Sequence, residues 1–128
     1  MSAKSAQKMS TTDRAANANR VELLGHLTVP PEPRTLPSGD ELVSLRVSVL
    51  RPDGSRRDSL PVTVGPAPTR GTRRQPGQAT AAIVRLAAKL DEGDTVIVNG
   101  WLRRRFWDTG GGLRATRIEV VAETVQRG

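Results

Sequence analysis

Cysteine is missing from the sequence, and histidine occurs once, as His26. Without cysteine the chain has no thiol nucleophile and no cysteine-based zinc site, and one histidine leaves no His-centred catalytic triad. The carboxylates are scattered, mostly in turns and beside arginines, and none forms a pair that an apolar setting would tune for general acid–base chemistry. We therefore expect a protein that is not an enzyme and that uses no metal and no other cofactor.

Long apolar runs are missing as well. No stretch approaches the ~20 apolar residues that a membrane helix needs, and the N-terminus lacks the apolar core of a signal peptide. The lack of cysteine is compatible with a reducing compartment. For a chain of 128 residues, these features predict one cytoplasmic domain without a membrane partner.

Aromatic residues are scarce: the sequence has two tryptophans, one phenylalanine and no tyrosine. Arginine is abundant, and the formal net charge is +7. The positive charge is concentrated in residues 51–74 and 103–117, which carry a formal charge of +4 each and leave −1 for the rest. This distribution is expected of a surface that binds a polyanion, because arginine neutralises phosphate groups and can bond them with two N–H groups at once.

Residues 95–125 form the most informative segment, since two alternating stretches flank a run of three glycines. This pattern predicts a β-hairpin. Trp101, Arg103, Arg105 and Trp107 occur at a spacing of two, which places them on one face of an extended strand. Guanidinium groups that alternate with indoles suit phosphate contacts and base stacking on a single strand. The alternative is a solvated hairpin whose tryptophans fill a core or an oligomer interface.

The rest of the chain has the pattern of short strands. Apolar and alternating segments predict strands at residues 20–28, 41–50 and 59–64, and apolar spacing predicts an amphipathic helix at residues 79–90. Residues 1–18 are polar and are expected to form a disordered N-terminal tail. Four prolines predict irregular structure up to Gly39, namely Pro30, Pro31, Pro33 and Pro37.

Together with the hairpin, this order gives five strands with one helix between the third and the fourth. It predicts an all-β fold with a small α component, a five-stranded OB-fold barrel over residues 19–126. Residues 66–78 are a long Pro/Gly/Arg loop that we expect to be flexible. Its Arg70, Arg73 and Arg74 form either a basic arm that wraps a polyanion or a solvated insertion.

Two stretches resemble the bacterial single-stranded DNA-binding protein family. They are NRVELLGHLT at residues 19–28, followed by PEPR and SG, and EGDTVIVNGWLRRR at residues 92–105, followed by Trp107 and Asp108. The resemblance implies an OB-fold homo-oligomer, a tetramer before a dimer, that binds single-stranded DNA without sequence preference in replication, recombination or repair. It also implies that Arg103 and Arg105 are the cations of the DNA-binding hairpin and that Trp107 stacks on bases. The implied location is the nucleoid.

The chain departs from the family pattern at several positions. The aromatics that the family carries at the end of the second strand and along the third are absent from residues 51–52 and 59–64. At ~1–3 kcal/mol for each missing stack, we expect affinity to be weaker by ~10²-fold or more. The sequence ends in Gln126, Arg127 and Gly128, which implies a short member or paralogue without the acidic tail that recruits repair enzymes.

The candidate nucleic-acid-binding residues are Arg20, Arg34, Arg46, Arg51, Arg56, Arg57, Arg70, Arg73, Arg74, Trp101, Arg103, Arg105, Trp107, Arg114 and Arg117. Two alternatives to a DNA-binding role remain. The scarcity of aromatics favours an OB-fold protein-interaction or primosome accessory subunit that binds nucleic acid weakly. An RNA-binding OB protein would also be rich in arginine, and neither arginine nor tryptophan distinguishes a 2′-hydroxyl. The apolar first strand would leave an open edge, which predicts a homo-oligomer.

Overall fold

Strands dominate the computed structural model, which describes residues 16–128. Within this range the elements are β1 (Val21–Leu27), β2 (Glu32–Thr35), β3 (Glu41–Leu50), β4 (Arg57–Val64), α1 (Ala81–Ala88), β5 (Thr95–Gly110) and β6 (Leu113–Arg127). The expected N-terminal tail lies, for residues 1–15, outside the described residues. No helix of residues 16–128 is long and apolar enough to span a membrane.

Five of these strands close into a barrel. The order is β1-β5-β6-β4-β3, and β3 returns to β1 through the pairs His26↔Ser48 and Leu27↔Val47. All neighbours are antiparallel except β4 and β6, which run parallel from Val62↔Val120. With α1 between the third and the fourth barrel strands, the predicted OB-fold barrel is confirmed.

The barrel interior is filled mainly by valines from alternate strand positions. In β3, Val43, Leu45 and Val47 are buried, while Ser44 and Arg46 lie on the opposite face. Branched side chains pack well on a pleated surface, and each fully buried valine or leucine contributes about 1.5–3 kcal/mol to folding. The same alternation therefore leaves the outer face of β3 polar and available to a ligand.

Helix α1 covers one part of this core. The Thr80 hydroxyl accepts a hydrogen bond from the Ile83 amide and so caps the helix, while Val84 and Ala87 are buried. The helix is shorter than the predicted span of residues 79–90, although Ala79 and Leu90 are buried on either side of it.

Strand β2 corrects the prediction of irregular structure before Gly39, which is wrong for Glu32–Thr35. These residues pair with β3 from Glu32↔Ser44 to Thr35↔Glu41, and β2 is an edge strand outside the barrel. Proline is tolerated in an edge strand because only one side of that strand needs hydrogen-bonding partners. The pairing holds Arg34 beside the outer face of β3.

A bulge distorts the long hairpin where it leaves the barrel. Asn99 pairs with Thr124 and Gly100 with Ala122, so Glu123 is an extra residue in β6. A Cβ atom at Gly100 would lie 1.9 Å from the carbonyl oxygen of Val121, and only glycine allows this approach.

Candidate nucleic-acid interface

The β5–β6 hairpin projects from the barrel, and nearly all residues from 104 to 118 are exposed. The register of the two strands is symmetric about Gly111 in the glycine turn. It gives the cross-strand pairs Arg103↔Glu119, Arg105↔Arg117 and Trp107↔Ala115. Cross-strand partners and residues two apart share a face of the ribbon. The register therefore assembles one set of side chains from both strands.

Glu119 is the centre of this set. Its carboxylate has no exposed surface and is surrounded by three arginines, which we call the arginine cluster: Arg103, Arg105 and Arg117. Arg103 donates from Nε (3.1 Å) and from Nη2 to Oε2, and Nη2 of Arg117 donates to Oε1 at 3.5 Å. Nη1 of Arg105 lies 3.8 Å from Oε1, and the Thr63 hydroxyl donates to the same oxygen at 3.3 Å. One buried negative charge thus holds three positive charges.

The pKa of Glu119 reflects a competition between burial and its partners. Burial alone raises the pKa, but the hydrogen bonds of Arg103, the charges of Arg103 and Arg105 and the hydrogen bond of Thr63 together lower it below the ordinary value of 4.5. The carboxylate is therefore ionised throughout the neutral range, and the arginine cluster together with Glu119 carries a net charge of +2.

Acid is expected to destabilise the protein through Glu119. Because its pKa is lowered in the folded state, the stabilisation that its ionisation provides is complete above about pH 4.5, the value in the unfolded chain, and is lost as the pH falls through the folded value. Glu119→Gln should therefore flatten the decline of the urea midpoint between pH 6 and pH 3. Asp58→Asn is the comparison: Asp58 also has a lowered pKa, but its side chain is partly exposed and lies outside the cluster, so its replacement should flatten the decline less. An unchanged pH profile for Glu119→Gln would contradict this account.

An open groove of about 560 Å³ lies next to the arginine cluster. Its walls come from the loop between β1 and β2, from β2 itself and from the outer faces of β3 and β4, with Arg34, Arg46, Thr63 and Arg117 among the lining residues. The β1–β2 loop contributes Pro30 and Pro31. The groove thus presents cations from three separate strands.

The groove and the hairpin form one continuous surface, because some residues belong to both. Arg117 lines the groove and also a hollow of about 240 Å³ on the hairpin, together with Arg105, Phe106 and Trp107. Thr63 lines the groove and donates to Glu119. The structure therefore brings together six of the predicted residues: Arg34, Arg46, Arg103, Arg105, Trp107 and Arg117.

The opposite face of the hairpin carries a different set of side chains. The guanidinium of Arg114 lies 4.8 Å from the centre of the Phe106 ring, a cation–π contact. Arg104 donates to the Thr116 hydroxyl on this side. Phe106 and Trp107 are both about half exposed, so the ribbon offers an aromatic ring on each face.

Arg20 and Trp101 lie in another cleft, between the start of β1 and the long loop. The Trp101 indole N–H donates to the carbonyl of Gly77 at 3.0 Å, and the cleft also contains Glu123 and Pro76. Asn19 bonds both backbone groups of Leu102, which anchors the segment before β1 to β5. Trp101 is therefore a contact between the barrel and the loop and lies away from the groove.

The arginines of the long loop divide into two kinds. All three are exposed, but Arg74 donates to the carbonyl of Gln78 at 3.1 Å and lies 3.9 Å from Glu123, whereas Arg70 and Arg73 form no side-chain hydrogen bond or ion pair within residues 16–128. The flexibility of residues 66–78 stays a prediction, to be measured by amide hydrogen exchange.

The β3–β4 turn and the first residue of β4 contain the remaining candidates. Arg51 forms two 3.0 Å hydrogen bonds with the carboxylate of Asp58 and lowers its pKa. Arg57 donates to the hydroxyl and carbonyl of Ser48 and lies 3.2 Å from Nδ1 of His26, across the β1–β3 junction. Arg56 is exposed at the turn.

The sequence interpretation missed Glu119 and Phe106. The signal for Glu119 was present, because a hairpin centred on Gly111 places residue 119 opposite residue 103. Phe106 falls outside the spacing of two that connects the tryptophans, and it lies on the other face. Across residues 16–128, no group of three or more His, Cys, Asp or Glu residues could hold a metal ion. No protein-family model matches the chain.

Proposed function

We propose that this protein binds single-stranded DNA without sequence preference, as a non-catalytic component of replication, recombination or repair in the bacterial cytoplasm. The observation that supports this most is the continuous surface formed by the groove, the arginine cluster and Trp107. Arg34 and Arg46 supply cations at one end, and Trp107 supplies a stacking platform at the other. Phosphate neutralisation and stacking together are what a sequence-independent single-strand site needs.

Electrostatic contacts dominate this proposed site. The groove has no aromatic residue among those that line it within residues 16–128, and the rings next to it are those of Phe106 and Trp107 on the hairpin. We expect the strand to contact the groove through its phosphates and the hairpin through a base. Binding should therefore depend more steeply on salt than stacking-based binding does.

A titration with labelled poly-dT, poly-rU and duplex DNA at two salt concentrations tests the proposal. We expect poly-dT to bind more tightly than duplex DNA, because only an unpaired base can stack on Trp107. Equal binding of duplex and single strands would overturn it. Tighter binding of poly-rU would replace it with an RNA-binding role.

Replacement of Trp107 by alanine should weaken poly-dT binding by about 5- to 150-fold, since a base stack contributes ~1–3 kcal/mol. The slope of log K against log salt should change little, because no charge is removed. Phe106→Ala is the comparison, since Phe106 belongs to the opposite face of the ribbon although it also lines the hollow, and we expect a smaller loss there. Fluorescence anisotropy at several salt concentrations gives both quantities. Parent-like binding by Trp107→Ala would remove the hairpin tip from the site.

A second candidate function is an interaction module for another protein. It is favoured by apolar side chains on the hairpin face opposite the arginine cluster, where Leu102, Phe106 and Ile118 are each about half exposed. Contiguous exposed apolar groups often mark protein contacts. This candidate would replace the first if the protein bound no single strand at low salt.

We also propose that the protein is a homo-oligomer, a tetramer before a dimer. Strand β1 pairs with β3 only at His26 and Leu27, so among residues 16–128 nothing pairs with its earlier residues on that side, and Leu24 is exposed. Such an edge is an available template for pairing with another chain. Light scattering at micromolar concentration should give the mass of several chains. The mass of one chain, 13.8 kDa, would contradict the proposal.

A further inference from the structure

Glu119 is a fully covered carboxylate on a surface otherwise built to attract anions. We propose that Glu119 is a positioning residue that holds Arg103, Arg105 and Arg117 together as one phosphate-binding site. The inference rests on the proposed function, since the phosphate in question is that of a single strand.

The geometry leaves the arginines free to act in this way. The side chains of Arg103, Arg105 and Arg117 are 39%, 46% and 44% exposed, whereas that of Glu119 is 0% exposed. A guanidinium has five N–H donors. Glu119 takes two from Arg103 and one from Arg117, and it attracts Arg105 by charge at 3.8 Å. The remaining donors are available to a phosphate on the exposed side.

The positive charges of the three arginines repel one another, so their proximity requires a stabilising interaction. Arginine side chains are long and flexible, and mutual repulsion would spread three of them over the hairpin. A central carboxylate opposes that repulsion and fixes the guanidinium groups before a ligand arrives. Preorganised donors bind more tightly because less side-chain motion is lost on binding.

Thr63 and the strand register make the carboxylate a rigid anchor. The Thr63 hydroxyl donates to Oε1 from the neighbouring strand β4, and Glu119 is the cross-strand partner of Arg103. Because Thr63 also lines the groove, the anchor joins the arginine cluster to the groove in a fixed orientation. Glu119 therefore acts through the arginines and does not contact the strand itself.

A pure charge effect and a positioning role predict opposite changes in poly-dT affinity for Glu119→Gln. The change removes a negative charge and raises the formal net charge from +7 to +8, so charge alone predicts tighter binding of poly-dT. Positioning predicts weaker binding, by about 10-fold or more, in line with the ~10–100-fold cost of losing a residue that orients metal ligands. Glu92→Gln is the charge control, because Glu92 is exposed and forms no ion pair within residues 16–128.

A second pair of variants keeps the test decisive if Glu119→Gln does not fold. Arg103→Lys keeps the charge but cannot donate two N–H groups in a fixed fork to Glu119. Arg104→Lys is its matched control, since Arg104 is the next residue on the same strand and contacts Thr116 instead. We expect Arg103→Lys to bind poly-dT several-fold more weakly than Arg104→Lys.

The NMR signals of the arginine side chains report the contact between Glu119 and Arg103 without any nucleic acid. In the parent, the Nε–H group of Arg103 should show slow hydrogen exchange by NMR, and Glu119→Gln should accelerate that exchange. Weaker poly-dT binding together with faster exchange supports the proposal. Equal or tighter binding by folded Glu119→Gln, or unchanged exchange, overturns it. Failure of the parent protein to bind any single strand would instead refute the proposed function, while the exchange still reports whether Glu119 holds Arg103.

Discussion

Replacement of Arg103 and Arg105 by alanine together should weaken binding of poly-dT by about 100-fold or more, because each charge-assisted hydrogen bond contributes ~1.5–3 kcal/mol. The slope of log K against log salt should also become shallower, by ~0.7 for each phosphate of the single strand that is no longer neutralised. Both arginines belong to the cluster around Glu119, next to the groove and Trp107. Titrations of poly-dT at four or more salt concentrations measure both effects.

The double variant needs two controls. Arg104→Ala with Arg114→Ala removes the same charge from the opposite face of the hairpin, and we expect a clearly smaller loss of affinity. Glu119 would keep Arg117 and Thr63 as partners but would lose its strongest one, which destabilises a buried carboxylate. Circular dichroism should therefore establish that the variant is folded at the titration temperature. Equal losses of affinity for the two double variants would show that binding follows net charge and not the cluster.

Alternation of apolar residues was enough to predict the barrel. Val43, Leu45 and Val47 of β3 follow the strand period, and the strand occupies the predicted residues 41–50. The start of β4 was less well predicted, since it begins at Arg57 and not at residue 59. Apolar burial sets the middle of a strand, whereas backbone pairing with a neighbour sets its end.

Tertiary pairing explains the larger errors. Strand β2 contains Pro33 and has four exposed residues, so it shows no apolar period in the sequence. It forms because the backbone of β3 has hydrogen-bonding groups free to pair with it. Glu119 was not recognised because burial of a charged side chain depends on what surrounds it. Its three arginines come from both strands of the hairpin, and Thr63 comes from β4, 56 residues earlier in the chain. Local patterns predicted the faces of each strand but not the contacts between strands.

Local patterns also did not predict the contacts of Trp101, which the spacing of two placed on one face with Arg103 and Arg105. The indole bonds to Gly77 of the long loop, and a Cβ atom at Gly77 would lie 2.7 Å from Nε1. A loop that returns to the barrel in this way cannot be inferred from the alternation of β5. Trp101 is thus better placed to hold the loop than to stack on a base in the groove.

Gly25→Ala is expected to destabilise the protein by about 3 kcal/mol or more, a cost typical of a severe overlap in a packed site. A Cβ atom at Gly25 would lie 2.1 Å from the carbonyl oxygen of Ser48 and 3.1 Å from a methyl group of Val47. Strand β1 meets β3 only in the next two residues, His26 and Leu27, so this overlap falls at the junction that closes the barrel.

Neither β1 nor β3 can move to relieve this overlap without the loss of other contacts. Ser48 O is a backbone atom that also accepts a hydrogen bond from Arg57, and Arg57 contacts His26 on β1. Movement of β1 away from β3 would therefore break the pairing and the Arg57 contacts together. Gly54→Ala is the matched control, because it is the same change in a turn where nothing within residues 16–128 lies within 4 Å. Its cost should be about 1–2 kcal/mol, from a positive φ alone.

Urea denaturation at one protein concentration compares the two variants, since an oligomer makes stability depend on concentration. We expect Gly25→Ala to lower the midpoint clearly more than Gly54→Ala, with poly-dT binding reduced in proportion to the fraction that unfolds. A Gly25→Ala protein as stable as the Gly54→Ala protein would show that the barrel does not need the close contact between β1 and β3. In that case the groove, which depends on the position of β3, would have to be held by the pairing of β3 with β2 and β4.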